Sequence, residues 1–198
     1  MKYSVHTLIL AVAGLTLVAC SDSQTAPKSY ASSPAQFSVR GGHRVGFGFN
    51  APSVKGFPHG EVALTGGGSY DPSTATNSVP TDTAVASGGG FSCNDTVGQP
   101  PLLGCKTGEG VRWDTAQLLA STPFKCTGAL TELGKTATTS AHTVVLKADF
   151  YRAGDGNEES FKANMIVSDT DLDPVLDGVQ NVWIQGVGCG TAVVHFSN

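Results

Sequence analysis

The sequence predicts an all-β protein, an antiparallel β-sandwich or flattened barrel of about eight strands. Three observations predict it. Beyond residue 44, apolar residues recur at alternate positions, the period of a half-buried strand. Twenty-five glycines and ten prolines, with many serines and threonines, favour strands and turns over helices. No stretch supports a long amphipathic helix; the best helical candidate, Asp114 to Ala120, is short.

The strands follow from the alternation. Val45, Phe47, Phe49 and Ala51 alternate with Gly46, Gly48 and Asn50, and Val62 and Leu64 follow in Glu61–Thr65. Val111, Trp113 and Thr115 share one face of a strand ending near Leu119. Phe124, Cys126 and Gly128 share another that runs toward Leu130. Val144, Leu146, Ala148 and Phe150 alternate with Val145, Lys147, Asp149 and Tyr151. Phe161, Ala163, Met165 and Val167 alternate with Lys162, Asn164, Ile166 and Ser168. Val182 and Ile184 oppose Trp183 and Gln185, and Ala192, Val194 and Phe196 oppose Val193 and His195. Such alternation gives each strand one dry and one wet face, as in antiparallel sheets. Arg152-Ala-Gly-Asp-Gly-Asn157 supplies the positive-φ residues of a hairpin turn. Gly66 to Gly90, rich in Gly, Ser, Thr and Pro, reads as a long surface loop, with room for one short strand near Ala84-Val-Ala.

The first 19 residues are not part of that domain. Lys2 is their only charge, Val5 to Val18 is mostly apolar and too short to span a bilayer comfortably, and the run ends in small residues, the three parts of an export signal. Leu17-Val18-Ala19-Cys20 resembles the lipobox of bacterial lipoproteins. The resemblance implies cleavage just before Cys20, a thioether from Cys20 to diacylglycerol, and acylation of the new amino terminus. It places the protein in the bacterial cell envelope, on the outer membrane or the outer face of the cytoplasmic membrane. Ser21, rather than Asp, then permits outer-membrane delivery in enteric-like sorting. Residues 20–36 are polar, small and Pro-punctuated, a tether of roughly 20–25 Å as flexible coil. Residues 37–198 form the single β domain, long enough to bury a core.

Removing Lys2 with the signal leaves 11 basic residues against 16 acidic ones, a charge of −5. The Lys and Arg residues are scattered singly, which excludes a nucleic-acid partner. Of the five cysteines, Cys20 is taken by lipid, and Cys93, Cys105, Cys126 and Cys189 form an even set in an exported chain, a disulfide pattern. Of the three connectivities, Cys93–Cys105 and Cys126–Cys189 are favoured, and loop entropy assigns them about 3 and 4 kcal/mol. Zinc is the rival, but no C-x-x-C pair occurs, and only His195, six residues after Cys189, has any ligand-like spacing to a cysteine.

Candidate chemistry is sparse. Asp155, Asn157, Glu158 and Glu159 precede a second acidic run, Asp169, Asp171, Asp173 and Asp177, whose alternate carboxylates point to a Ca²⁺ site. An EF-hand is excluded, because Pro174 stands at the sharp-turn glycine and Gln180 at the bidentate glutamate. The competing reading is solvated turns that keep strand ends polar. Glu61, Asp114, Asp149, Glu158 and Glu159 are the carboxylates from which a glycosidase pair would be drawn. G-x-S-x-G and S-x-x-K are absent, and His43, His59, His142 and His195 lack local partners. Gly66-Gly67-Gly68 and Gly88-Gly89-Gly90 lack the context of a phosphate loop. Trp113 and Trp183 are either core anchors or a carbohydrate platform.

A second resemblance rests on Gly41-Gly42, the Phe47-Gly-Phe strand, Gly60-Glu-Val-Ala-Leu-Thr65, Val144 to Phe150, and Asp155-Gly-Asn-Glu-Glu-Ser-Phe161 to Gly186-Val-Gly-Cys-Gly190. It is similar to uncharacterised secreted bacterial β domains, and it implies no activity and no site residue. The leading expectation is a non-enzymatic binding or adhesion module for an envelope protein or carbohydrate, held to the membrane by lipid and needing no cofactor unless Ca²⁺ occupies the acidic run. A carboxylate hydrolase, with or without structural calcium, and a structural or assembly component of the envelope are the alternatives.

Overall fold

Ten strands account for most of the residues that the computed structural model describes, namely 43–78, 85–152 and 159–197. The lipobox with Cys20, the tether and the turn after Arg152 lie outside the described residues. The strands are β1 (Val45–Gly56), β2 (Glu61–Tyr70), β3 (Val85–Asp95), β4 (Arg112–Leu118), β5 (Ser121–Phe124), β6 (Lys135–Thr138), β7 (Thr143–Arg152), β8 (Glu159–Ser168), β9 (Val182–Ile184) and β10 (Gly188–Ser197). Eight of them close an antiparallel barrel in the order β1-β10-β9-β8-β7-β4-β3-β2, and β5 and β6 form a separate two-stranded sheet. Closure removes the exposed edges that an open sheet would carry. Each barrel strand thus pairs with its neighbour in sequence, with β5–β6 inserted between β4 and β7.

The alternating positions are the barrel lining. Phe47, Phe49, Leu64, Tyr70, Phe91, Trp113, Leu146, Phe150, Met165 and Ile184 are buried in one inner cluster. Aromatic pairs fill it, with Phe91 edge-on to Phe150 at 5.1 Å and Phe49 tilted against Trp113 at 6.0 Å. Tyr70 closes one end, its hydroxyl donating to the carbonyl of Ser140 at 2.6 Å. Burial pushes this phenol well above its ordinary pKa, and the carboxylate of Asp169 adds to the effect.

Gly66 to Gly90 is not the long loop that its composition suggests. Strand β2 runs on to Tyr70 and β3 resumes at Val85, with Gly67 opposite Gly88 and Gly68 opposite Ser87. The glycines are there for space. The Trp113 indole lies inside the barrel against Gly66, where a Cβ would come within 2.5 Å of Cζ2, and its Nε1 donates to the Thr65 carbonyl at 3.0 Å. A narrow barrel holding so large a ring needs bare backbone beside it.

Three smaller differences concern β4, β5 and β6. The strand expected to end near Leu119 is β4, which ends at Leu118, and the short helical candidate 114–120 is not a helix, since 114–118 lie in that strand. The strand expected from Phe124 toward Leu130 stops at Phe124, where the chain turns through Cys126 to Glu132. Strand β6, its partner, carries no strong alternation and is held by pairing with β5.

Beyond the barrel wall lies a second layer. Val145, Ile166, Trp183 and Cys189 are consecutive partners across β7, β8, β9 and β10 on the outer face. They are buried with Leu119, Phe124, Cys126 and Ala137 of the hairpin region, and Leu172 and Leu176 pack on them. Trp183 does oppose Val182 and Ile184, but it is only 4% exposed, because the β5–β6 hairpin covers it. Both disulfides form, Cys93–Cys105 and Cys126–Cys189, and the second fastens the hairpin layer to β10.

Candidate functional site

The turn after β5 is built around one inward carboxylate. Glu132 accepts hydrogen bonds from the backbone N–H groups of Cys126, Thr127 (2.8 Å) and Gly128 (3.0 Å) and from the Thr127 hydroxyl (2.6 Å). Lys135 lies 3.7 Å from Glu132 and 2.8 Å from the buried carboxylate of Asp173. Burial alone would raise the pKa of Glu132, but the hydrogen bonds from Thr127 and Cys126 and the Lys135 charge outweigh it and hold the carboxyl below its ordinary value. Cys126, Glu132 and Asp173 are the one group of three metal-type donors found among the described residues. The donor set does not fit a metal, since the Cys126 sulfur is in a disulfide and the Lys135 ammonium already pairs with both carboxylates.

This arrangement predicts a pH-dependent contribution to stability. A lowered folded pKa means the contribution is present above the unfolded value of 4.5 and is lost as pH falls through the folded value. Glu132→Gln is therefore expected to cost about 1.5–3 kcal/mol at pH 7, the range for hydrogen bonds to a charged group. The difference from wild type should shrink as pH falls through the folded value, read by urea midpoints at pH 7 and at acidic pH.

The second acidic run is distributed over separate partners. Asp169 meets His142 Nδ1 at 2.7 Å. Asp171 accepts from the backbone N–H groups of Asp173 and Gln180, both at 3.0 Å. Asp173 pairs with Lys135, and exposed Asp177 lines a groove of about 420 Å³ with Lys55 and Gln180. No three of these four carboxylates bring oxygens within 4.8 Å of one another.

Among the other singled-out carboxylates, Asp114 and Asp149 are cross-strand partners on the outer wall. Lys162 stands 3.2 Å from Asp149 and Arg112 stands 3.5 Å from Asp114. The pair therefore belongs to a mixed-charge row on the outer wall, each carboxylate held beside a basic side chain. Glu61 pairs with Lys55 at 3.7 Å. Glu158 and the side chain of Glu159 lie outside the described residues. His43, His59, His142 and His195 are all exposed.

A groove that combines apolar and polar chemistry lies along the hairpin layer. This groove of about 420 Å³ opens between β5, the outer faces of β8 and β9, and the loop after β3. Phe57, Pro100 and Pro123 wall it, and Phe124 and Trp183 lie behind them. Asn164, Gln185 and Gln99 carry the amides that face it, and Lys125 is the one charged residue in its lining. Gly128, at a φ of +66°, lets the chain turn tightly against the Phe57 ring, where a Cβ would collide. Trp183 Nε1 donates to the Lys125 carbonyl at 2.8 Å, and Asn164 Nδ2 donates to Thr122 Oγ1 at 2.9 Å. The groove is thereby fixed by the same contacts that seat the hairpin.

Sequence reasoning found the outward positions of Asn164, Trp183 and Gln185 but not Phe57 or Gln99, which carry no periodic signal. No protein-family model, no curated protein and no solved structure matches the chain.

Proposed function

We propose that the protein is a lipid-anchored component of the bacterial envelope whose barrel is a non-enzymatic binding module. The observation that carries this reading is the cysteine arrangement. All four cysteines of the β domain are joined in two disulfides, which persist in oxidising compartments. That leaves Cys20, at the end of an export signal, for lipid.

The polarity of the barrel supports anchoring rather than spanning. A membrane-spanning barrel is apolar outside and polar inside. Here Phe47, Phe91 and Phe150 line the interior, and Arg112, Asp114, Asp149 and Lys162 stand on the outer wall. Diacylglycerol with an added amide-linked chain supplies more than one acyl group, and two or more are needed for a stable anchor. The binding role is supported by the groove, and by carboxylates and histidines that are paired within the fold or stand on open surface.

Two measurements test the proposal. Cells fed an alkyne fatty acid are expected to label the wild-type protein and not Cys20→Ala, with the variant moving from the membrane pellet to the soluble fraction. Equal labelling of the two would overturn the anchor. Turnover by the purified protein on a panel of polysaccharides, peptides and esters would overturn the non-enzymatic role and return the carboxylate hydrolase.

A further inference from the structure

We infer that the groove between the β5–β6 hairpin and the outer faces of β8 and β9 takes a neutral carbohydrate, one or two sugar rings long. The inference rests on the binding-module reading and names its ligand class. Its volume, about 420 Å³, is at the lower end of the range for small-molecule sites.

The lining matches a polyol from two directions. A sugar ring has apolar C–H faces and an equator of hydroxyls, each both donor and acceptor. Phe57, Pro100 and Pro123 offer flat apolar surfaces for the faces. Amides offer a donor and an acceptor on one group, the complement of a hydroxyl. Asn164 and Gln185 are tied to each other, with Asn164 N donating to Gln185 Oε1 at 3.1 Å and Gln185 N donating to Asn164 O at 2.9 Å. Asn164 Nδ2 is committed to Thr122. That leaves Asn164 Oδ1 as an acceptor and Gln185 Nε2 as a donor on neighbouring residues, with no partner among the described residues. An acceptor beside a donor suits two adjacent hydroxyls. Gln99, on the loop wall, has a side-chain amide with no hydrogen bond among the described residues.

Charge argues for neutrality. A carboxylate or phosphate is recognised by forked guanidinium groups or converging N–H donors, and this lining provides Lys125 alone. Rigidity favours affinity. The Cys126–Cys189 disulfide, the Trp183–Lys125 hydrogen bond and the Asn164–Thr122 hydrogen bond fix the walls before a ligand arrives, which reduces the ordering cost of binding.

The test uses the full chain as exported by cells. Calorimetric titrations employ oligosaccharides of glucose, mannose, galactose and N-acetylglucosamine, with polygalacturonate as the anionic probe and a proline-rich peptide as the peptide probe. At least one neutral oligosaccharide is expected to bind. Phe57→Ala and Gln185→Ala, both at side chains outside the inner core, are each expected to weaken that binding tenfold or more while melting close to wild type. Binding of none of the neutral sugars overturns the inference, as does sugar binding that both variants leave intact. If the peptide or the polyanion binds instead and the variants abolish it, the carbohydrate assignment falls while the binding-module reading stands. If a neutral sugar is cleaved rather than held, the binding-module reading falls with it.

Discussion

Trp113→Ala is expected to destabilise the protein by about 3–5 kcal/mol, the range for removing a large buried aromatic side chain. Trp113 is fully buried, packs against Phe49 at 6.0 Å, and fills the space that Gly66 leaves open. Removing the indole opens a cavity that closed walls cannot easily collapse into, because each barrel strand is hydrogen-bonded on both sides. It also removes the donor to the Thr65 carbonyl. Against a typical total of about 5–15 kcal/mol, the loss is a large fraction of the whole. At about 2–4 °C per kcal/mol for a domain of this size, the melting temperature falls by roughly 10–15 °C. Trp113→Phe keeps a ring and loses the N–H group, and it should cost less than half as much. A Trp113→Ala protein that melts within 2–3 °C of wild type would show that the ring is not central to the core.

The same tryptophan shows where the sequence was legible and where it was not. Its strand could be read from the shared parity of Val111, Trp113 and Thr115, but its inward position was open between core anchor and carbohydrate platform, and Val111 is itself exposed. The glycines that accommodate it could not be read, because by composition a Gly-Gly-Gly run signals a turn, and only the ring lying against Gly66 reveals it as strand. Closure into a barrel was likewise open, because alternation reports a dry and a wet face and not whether the first and last strands meet. Here β1 meets β10 from Gly46 opposite Ser197 to Gly56 opposite Gly188.

The second layer did leave a signal. In Val144-Val145-Leu146, Met165-Ile166-Val167 and Val182-Trp183-Ile184 the alternation fails, with apolar residues on both faces of three adjoining strands. Such a patch means that both faces are covered, and Val145, Ile166 and Trp183 are indeed buried under the hairpin. The groove itself could not be read. Phe57, Gln99, Asn164 and Gln185 come from four separate segments, and only the folding back of β5–β6 brings them together. The disulfide pairing was legible because the four cysteines of the β domain allow only three connectivities, and the favoured one, Cys93–Cys105 with Cys126–Cys189, is the one that forms.

That pairing carries the second large effect. Replacing Cys126 and Cys189 together by alanine is expected to cost about 4 kcal/mol, from the entropy of a 63-residue closure in the unfolded chain. The Cys93–Cys105 closure spans 12 residues and should cost about 3 kcal/mol on the same basis. The difference between the two variants is expected in more than total stability. Cys126 and Cys189 lie in the outer cluster with Trp183 and Phe124, so their loss frees the hairpin layer from β10 while the barrel ladder remains paired. Amide hydrogen exchange should therefore accelerate first at β5, β6 and the 126–134 turn, with β1, β2, β7 and β8 retaining protection. Sugar binding at the groove should weaken in both variants, because Phe124, Lys125 and Trp183 sit beside Cys126–Cys189, while Gln99 and Pro100 lie in the loop that Cys93–Cys105 closes. Uniform loss of protection across barrel and hairpin alike would mean that the two layers fold as one cooperative unit, with the Cys126–Cys189 bond acting on the whole molecule.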